Sequence, residues 1–221
     1  MNKIFVVRAG RMIKYTEDDI VYLRNAVAER MSGKRYSHTL GVERCAKKLG
    51  ELIIPDCVTE LRVAALLHDV SKEMPLEEQL CILSEANYRL NDIDLKTKGI
   101  IHSFSAPYVI KRDFSRFASD KVLSAVEKHT VGSADMTVFD MIVFISDYIE
   151  DTRPYTSCIE LREYMFNGIE ELPAAERVNR LFLACLKAIK NTEKAISDRA
   201  DIVNPRMLSA KKYIEKKILQ I

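Results

Sequence analysis

Apolar residues recur at helical intervals along almost the whole chain, and this periodicity constrains the fold more than any other feature. In the first stripe, Ile20, Leu23, Val27 and Met31 fall three or four residues apart, so they share one face of a helix. Strand-like alternation does not occur beyond the first dozen residues, and only 7 glycines and 6 prolines are spread over the 221 residues. The pattern predicts an all-α protein.

The periodic segments also predict how the chain is organised. The predicted helices span about 16–33, 36–53, 58–71, 75–87, 98–112, 119–129, 137–151, 157–167, 174–197 and 205–220. This length suits one sizeable core. We therefore expect one helical domain over residues 16–197 and a C-terminal packing helix within residues 198–221. Residues 1–15 are an N-terminal extension to which the pattern assigns no structure.

Charge and cysteine usage narrow the classes of function. Lys and Arg total 34 against 32 Asp and Glu, so net charge favours neither nucleic acid nor an anionic membrane surface as a partner. No apolar run approaches the roughly 18 residues that span a bilayer, and no signal-peptide pattern opens the sequence. The 5 cysteines are widely scattered, which is typical of reduced thiols. We expect a cytoplasmic protein.

The four histidines lie on faces that the helical pattern predicts to be buried. His38, His102 and His129 each continue an apolar stripe, and His68 ends the run that begins at Val63. A single buried histidine is usually a core residue whose ring nitrogens find local partners. Four such residues in one helical chain favour a shared role.

Two carboxylates in apolar segments strengthen that interpretation. Asp69 follows His68 in ALLHDV, and Asp147 lies in MIVFISDYI. An isolated buried carboxylate costs several kcal/mol, so each requires a cation. The alternative is an arginine partner inside the protein, for which Arg62 and Arg153 are candidates. A pair of metal ions would satisfy both acids and all four histidines together.

The donor types indicate which metals and which chemistry to expect. Imidazole and carboxylate together suit iron, manganese, cobalt or zinc, whereas the lack of paired thiolates argues against a structural zinc site. The neighbouring His68 and Asp69 converge only if a metal lies beside their helix, and Asp69 can then bridge two ions. Two metal ions are suited to neutralising charge on a phosphoryl group during displacement.

The ordered residues resemble a known family. RYSHTLGVERCAKKLG, AALLHDVSK and AVEKHTVGSADMTVFDMIVFISDYIEDTR resemble the HD-domain phosphohydrolases, in particular the bacterial symmetrical bis(5'-nucleosyl)-tetraphosphatases. The resemblance implies an all-α HD-domain helical bundle, with residues 16–197 as the phosphohydrolase domain. It implies cleavage of diadenosine tetraphosphate into two ADP with iron or a similar transition metal. The two-metal ligands that it implies are His38, His68, Asp69, His102, His129 and Asp147.

The resemblance also implies substrate contacts. Asp69, as the bridging ligand, and Lys72, which would meet a phosphate oxygen, are the predicted catalytic residues, and Arg153 would hold phosphate through its planar guanidinium. Thr130 and Gly132 would shape the substrate side of the turn after His129. The alternatives are a solvated Lys72, an ion pair of Arg153 with Glu150 or Asp151, and an ordinary turn after His129. Two departures, Ser146 and Asp151, stand where relatives usually have ADYIEP.

Three other functions stay open at this point. The same ligands serve enzymes that act on other nucleotides or phosphoesters, and a metal-retaining sensing module needs no turnover. Nucleic-acid binding through the basic C-terminal helix is the third alternative. Glu215 interrupts that basic run, however, so a solvated helix face is the simpler interpretation of its residues. These residues are Arg206, Lys211, Lys212, Lys216 and Lys217.

Overall fold

The computed structural model of the protein describes residues 15–220, whose regular structure is helical and which contain no strand. The all-α prediction is confirmed. The predicted N-terminal extension lies outside the described residues except for Tyr15, as does Ile221 at the end of the predicted C-terminal helix.

Eleven α-helices occur between residues 15 and 220, joined by short turns and single turns of 3₁₀-helix. They are α1 (Glu17–Ala28), α2 (Gly33–Ile53), α3 (Val58–Leu67), α4 (Leu76–Glu85), α5 (Asp92–Lys96), α6 (Ile101–Asp113), α7 (Asp120–Lys128), α8 (Val138–Ile149), α9 (Thr156–Phe166), α10 (Ala174–Ser197) and α11 (Pro205–Ile218). None of them combines the length and the apolar character that a bilayer-crossing helix needs.

Three differences between the predicted and observed helices have a clear local setting. The predicted first helix ends early at Ala28, because Ser32 caps a new helix through a bond from the Arg35 amide to its hydroxyl. The short α5 was not predicted and begins with a capping box between Asn91 and Asp94. The third difference is in the predicted helix 58–71, which ends at Leu67.

The segment after α3 forms tight turns in place of the predicted helix. The Val70 amide donates to the Leu67 carbonyl at 3.2 Å, and the Lys72 amide donates to the Asp69 carbonyl at 2.9 Å. These bonds join residues three apart, which winds the backbone more tightly than an α-helix. His68 and Asp69 therefore lie in a turn at the end of α3, not within a helix.

Helix α3 is the centre of the bundle. Every residue from Leu61 to Leu67 is buried, so the helix has no face for solvent and must be surrounded by others. It packs against α1, α2, α7 and α8. Helix α8 is also apolar nearly all round, and α10 covers its outer side. The C-terminal ends of α3, α7 and α8 are consequently held in fixed relation to α2.

Helix α11 packs against α10 and is tied to the distant α5 by a polar cluster. Met207, Ala210 and Ile214 are its buried residues. Asp94 of α5 accepts a hydrogen bond from the Asn204 side chain at 2.9 Å and pairs with Arg206 at 3.1 Å. The C-terminal segment is thereby joined to the body of the protein by both apolar and ionic contacts.

Candidate metal centre

The residues predicted to bind metal come from five segments of the chain and meet in one place. Three belong to helices α2, α6 and α8, two form the turn after α3, and one follows α7. All are buried except the Asp147 side chain, which is 20% exposed. In that order, the residues are His38, His102, Asp147, His68, Asp69 and His129.

The ligand atoms form two overlapping groups, each compact enough to surround one ion. His38, His68 and Asp147 make up the first group, and His68, Asp69 and His129 make up the second. Within each group, the ligand atoms lie within 4.8 Å of one another. His68 is common to both, so the groups are adjacent.

His102 lies beside the two groups without belonging to either. Its Nε2 is 3.1 Å from Asp69 Oδ1 and 3.1 Å from His129 Nε2, so the ring reaches the second group. Its Nδ1 lies 3.2 Å from the ammonium of Lys72. The structure thus brings five of the six predicted ligands into metal-sized groups and leaves His102 at their edge.

The backbone fixes which ring nitrogen two of the histidines present. Nδ1 of His68 lies 2.6 Å from the carbonyl of Ala65, and Nδ1 of His129 lies 2.6 Å from the carbonyl of Val126. A carbonyl only accepts, so each Nδ1 carries the proton and each Nε2 is left with a free lone pair. This is the arrangement in which imidazole binds a metal.

A buried glutamate does the same for His38. Glu150 Oε1 lies 3.1 Å from His38 Nδ1, and the Glu150 carboxylate also accepts bonds from the Thr152 amide and hydroxyl, both at 2.7 Å. Gly41 provides the space, because a methyl group at that position would overlap the carboxylate. One end of α8 therefore carries both Asp147, a predicted ligand, and the acid that orients the predicted ligand His38.

Three of these inward-facing atoms have no hydrogen-bond partner among the described residues. They are Nε2 of His38, Nε2 of His68 and Oδ1 of Asp69, and all three are buried. His38 Nε2 lies 3.0 Å from Asp147 Oδ1, and Asp69 Oδ1 lies 3.1 Å from His102 Nε2, but neither contact has the geometry of a hydrogen bond. Buried polar atoms are rarely left unsatisfied, and each that is so needs an explanation. Two lone-pair nitrogens and a carboxylate oxygen at one point are a donor set that fits a transition-metal ion.

Charge in the site favours a cation. Burial alone would raise the pKa of Asp69, but the imidazoles of His68, His102 and His129 hold it well below its usual range. Burial lowers the pKa of His102 to about 4 even though Asp69 acts against it, so this ring is neutral at pH 7. Burial also lowers the pKa of His38, but Asp147 and Glu150 outweigh it and raise the pKa to about 9. A positive charge at His38 Nε2, whether proton or metal, is therefore stabilised.

Arginines pair with both aspartates of the centre. Arg153 donates to Asp147 Oδ1 at 2.7 Å, which is the internal partner considered from the sequence. Arg62, the other arginine considered, is not a partner of either aspartate, because it pairs with Glu43 at 2.9 Å and with Glu17.

Asp69 is paired instead with Arg35, whose NH1 lies 2.7 Å from Oδ2. Each of the two carboxylates therefore faces an arginine as well as imidazoles.

The predicted substrate contacts fall in different places. Lys72 lies 3.2 Å from both His102 Nδ1 and the Gly99 carbonyl, so it is held beside the centre and is not a freely solvated lysine. The hydroxyl of Thr130 is 3.3 Å from His102 Nε2. Gly132 has a φ of 69° and faces Met136 and α11, so the structure does not bring it to the ligands.

The departures at the end of α8 have local partners. Asp151, which adds a negative charge beside the predicted phosphate contact, pairs with Arg44 at 2.7 Å. Ser146 is fully buried. Arg153 lies 3.9 Å from Glu150, farther than from Asp147, so the ion pair considered as its alternative is the weaker of the two contacts.

Arg35, Gly41 and Glu150 are residues to which the sequence assigned no role in positioning the predicted ligands. All three lie within the motif segments that carry the resemblance, in RYSHTLG and DYIE. Arg35 precedes His38 by three residues and Glu150 follows Asp147 by three, so each shares a helix face with a ligand. That spacing is the signal that could have identified them.

Comparison with known proteins agrees with this geometry. The HD domain profile matches residues 35–152, which span the site from Arg35 to the loop after α8 and make up more than half of the chain. The chain belongs to the HD domain family. The HD domain and the names of its relatives identify the protein as a hydrolase.

Several relatives of the chain are named bis(5'-nucleosyl)-tetraphosphatase, symmetrical, among them proteins from two bacteria. The protein of Bacillus subtilis is 26% identical over 166 residues, which are 75% of this chain and 81% of the relative. The protein of Staphylococcus aureus is 30% identical over 140 residues, which are 63% of this chain and 70% of the relative. The resemblance stated from the motifs is confirmed.

A solved structure has the same HD domain fold. It is described as a predicted HD superfamily hydrolase involved in NAD metabolism from Clostridium acetobutylicum. The two superpose with a TM-score of 0.76 at 25% sequence identity, over 92% of this chain and 98% of the other. The fold that the two proteins share therefore extends past residue 152, where the HD domain match ends, into the C-terminal helices.

Proposed function

We propose that the protein hydrolyses diadenosine tetraphosphate, or a closely related dinucleoside polyphosphate, symmetrically to two nucleoside diphosphates. The ligands of a two-metal centre are His38, His68, Asp69, His102, His129 and Asp147. Two transition-metal ions are the cofactor, with iron as the first candidate and manganese, cobalt or zinc as alternatives. The scattered thiols favour the cytoplasm as the place of reaction.

One observation carries the proposal. Unpartnered Nε2 atoms of His38 and His68 and the unpartnered Oδ1 of Asp69 point to one buried place, in two ligand groups that share His68. Adjacent groups of this kind suit two ions that act on one phosphoryl group. The names of the relatives from Bacillus subtilis and Staphylococcus aureus supply the substrate.

The residues around the centre have separate tasks. When bound, two such ions supply Lewis acidity that neutralises charge on a phosphoryl group. Lys72 contributes a positive charge beside His102, where it meets a phosphate oxygen and stabilises charge as it develops. Arg153 keeps Asp147 in place with one edge of its guanidinium and offers its remaining donor to substrate. Thr130 offers a hydroxyl from the side of His102.

The direct test is an assay of the metal-loaded protein with diadenosine tetraphosphate, with products separated by ion exchange. We expect ADP as the only product. A mixture of AMP and ATP would contradict symmetrical cleavage. Parallel assays with ATP, GTP and cyclic dinucleotides test the broader phosphohydrolase function, and NAD is included because the Clostridium acetobutylicum protein is described as involved in NAD metabolism.

A His68→Ala variant tests the ligand assignment. His68 belongs to both ligand groups, so its removal should reduce bound metal and activity together. Metal content is measured by mass spectrometry, and folding by circular dichroism. Full activity in this variant would contradict the assignment, while bound metal without turnover of any nucleotide in the wild-type protein would favour a sensing module.

A further inference from the structure

A cleft of about 420 Å³ opens beside the metal centre, between the start of α2 and the loop that joins α8 to α9. His38 lies on its wall, so the cleft leads directly to the ligands. Its volume falls in the range of small-molecule sites. The residues of the cleft used below are Lys34, Arg35, Arg153, Pro154 and Tyr155.

The cleft is positively charged where it meets the centre. Arg35 and Arg153 each bind one metal-centre carboxylate at 2.7 Å, and each has further guanidinium donors. Nε of Arg35 is buried without a partner among the described residues. Exposed Lys34 adds a third positive charge. These donors suit the phosphates of a nucleotide.

The acidic residues of the cleft are already engaged. Glu73 accepts bonds from the amide and hydroxyl of Ser32 at 2.6 and 2.7 Å. Glu150 is buried under His38 and Thr152. Both carboxylates thus have closer partners than the arginines, since the contact of Glu150 with Arg153 is 3.9 Å long, and the cleft keeps an affinity for anions.

Tyr155 stands at the outer edge of the cleft with its ring free. It is 62% exposed and is held between Pro154 and the first turn of α9. The other exposed tyrosine rings have partners: Tyr22 stacks on Phe117, and Tyr164 lies under Arg180 and Lys187. Tyr155 has no such aromatic or cationic partner between residues 15 and 220. An exposed ring beside phosphate-binding arginines is suited to stacking on a base.

We propose that this cleft binds one nucleoside end of the substrate, with the base stacked on Tyr155 and the adjoining phosphates held by Arg35 and Arg153. The inference deepens the proposed function and rests on it for the identity of the substrate. It adds that recognition depends on an aromatic face as well as on phosphate, so inorganic polyphosphates should bind less tightly than nucleotides.

The test measures binding of ADP and of pyrophosphate to the metal-loaded protein by calorimetry, without turnover. Tyr155→Ala should weaken ADP binding about tenfold, since a base loses its stacking partner. Pyrophosphate binding should stay within about twofold, because the arginines are unchanged. Tyr155→Phe keeps the aromatic face and should bind ADP as the wild type does.

The matched control is Tyr164→Ala, which removes another exposed tyrosine of the same helical segment, outside the cleft. It should leave both affinities unchanged. Tyr155→Leu serves as a second variant, checked by circular dichroism, should the alanine variant fold poorly. Unchanged ADP binding in the Tyr155 variants overturns the proposal, as does an equal loss of ADP and pyrophosphate, or no ADP binding by the wild type.

These results separate the inference from the proposed function. If diadenosine tetraphosphate is not hydrolysed but ADP binding depends on the Tyr155 ring, the nucleoside cleft stands and the substrate is another nucleotide. If diadenosine tetraphosphate is hydrolysed but the affinity for ADP does not depend on the Tyr155 ring, the function stands and the cleft assignment fails.

Discussion

Gly41 provides the space in which Glu150 orients His38. The position is buried on α2, and a methyl group there would overlap the glutamate carboxylate. Glu150 in turn is nearly inaccessible to solvent and holds His38 Nδ1. A partner that orients a ligand in this way commonly matters almost as much as the ligand. Gly41 therefore influences the proposed metal centre indirectly, through the position of Glu150.

Gly41→Ala should lower metal affinity by about tenfold or more, because the displaced Glu150 no longer fixes the His38 ring. Glu150→Gln should act in the same direction through a weaker bond to Nδ1. Metal affinity is measured by titration against a competing chelator.

The control is Gly33→Ala at the start of the same helix, where a methyl group meets nothing within 4 Å. It should bind metal like the wild type. Equal affinity in the Gly33 and Gly41 variants would show that Glu150 does not position His38.

The sequence predicted the residues proposed as ligands, five of which the structure brings together, but only part of what surrounds them. The histidines and aspartates were visible because polar groups stood out in apolar helical stripes. Arg35 and Glu150 were not, because charged residues near helix ends are common on solvated surfaces. Their roles depend on a distance between segments, such as the 2.7 Å from Arg35 to Asp69, which helical periodicity does not contain.

At the scale of elements, the turn after α7 depends on a glycine in the left-handed conformation, which a residue with a side chain adopts only with strain. Gly132 has a φ of 69°, and its amide bonds to the Lys128 carbonyl at 2.9 Å, which ends the helix after His129. A methyl group at Gly132 would lie 2.8 Å from Cβ of Ala210 in α11. Any side chain at this position would therefore meet both backbone strain and close packing.

Gly132→Ala should lower the free energy of unfolding by about 2–4 kcal/mol, the sum of left-handed strain and overpacking. Gly168→Ala separates the two terms, because Gly168 has a similar φ of 66° but nothing within 4 Å. It should cost only about 1–2 kcal/mol. Urea denaturation of both variants gives the comparison, and equal losses would mean that contact with α11 contributes nothing.

Helix boundaries were predictable where capping residues and prolines mark them. They were less predictable where contacts with distant segments determine where a helix ends. The long α10 coincides with its predicted span of 174–197. The helix predicted over 58–71 ends at Leu67 because the His68 and Asp69 turn is shaped by its place among the other ligand segments. Propensity within the segment favours a continued helix.

At the scale of the whole molecule, Asp94 links α5 to α11 across the sequence. Burial would raise the pKa of Asp94, but the bonds from Asn204 and Arg206 lower it below its usual value. A carboxylate with a depressed folded-state pKa adds stability above its unfolded pKa of about 3.9, and that stability is lost as pH falls through the folded pKa.

Asp94→Asn should therefore reduce the free energy of unfolding by about 1–3 kcal/mol at pH 7. The difference from wild type should shrink as pH falls below about 4, where the wild-type carboxyl also becomes neutral. Urea denaturation at several pH values measures it. Asp92→Asn on the exposed side of α5 is the control and should show little effect. A pH-independent difference would mean that charge is not what Asp94 contributes.

The all-α class was predictable from periodicity alone, whereas the arrangement of the helices was not. Burial of every residue from Leu61 to Leu67 follows from an apolar segment with no polar face. Which helices surround α3 depends on packing between residues distant in sequence. The comparison with the Clostridium acetobutylicum structure supplies that arrangement independently.

The proposed metal centre would draw its ligands from five segments between residues 38 and 147. Such a centre does not exist in a nascent or partly unfolded chain, because no neighbouring pair of helices contains it. A cation held there acts as a cross-link that closes several long loops at once, and its binding energy is added to the folded state. Removal of such ions should therefore lower the stability of the whole bundle and not only that of one pair of helices.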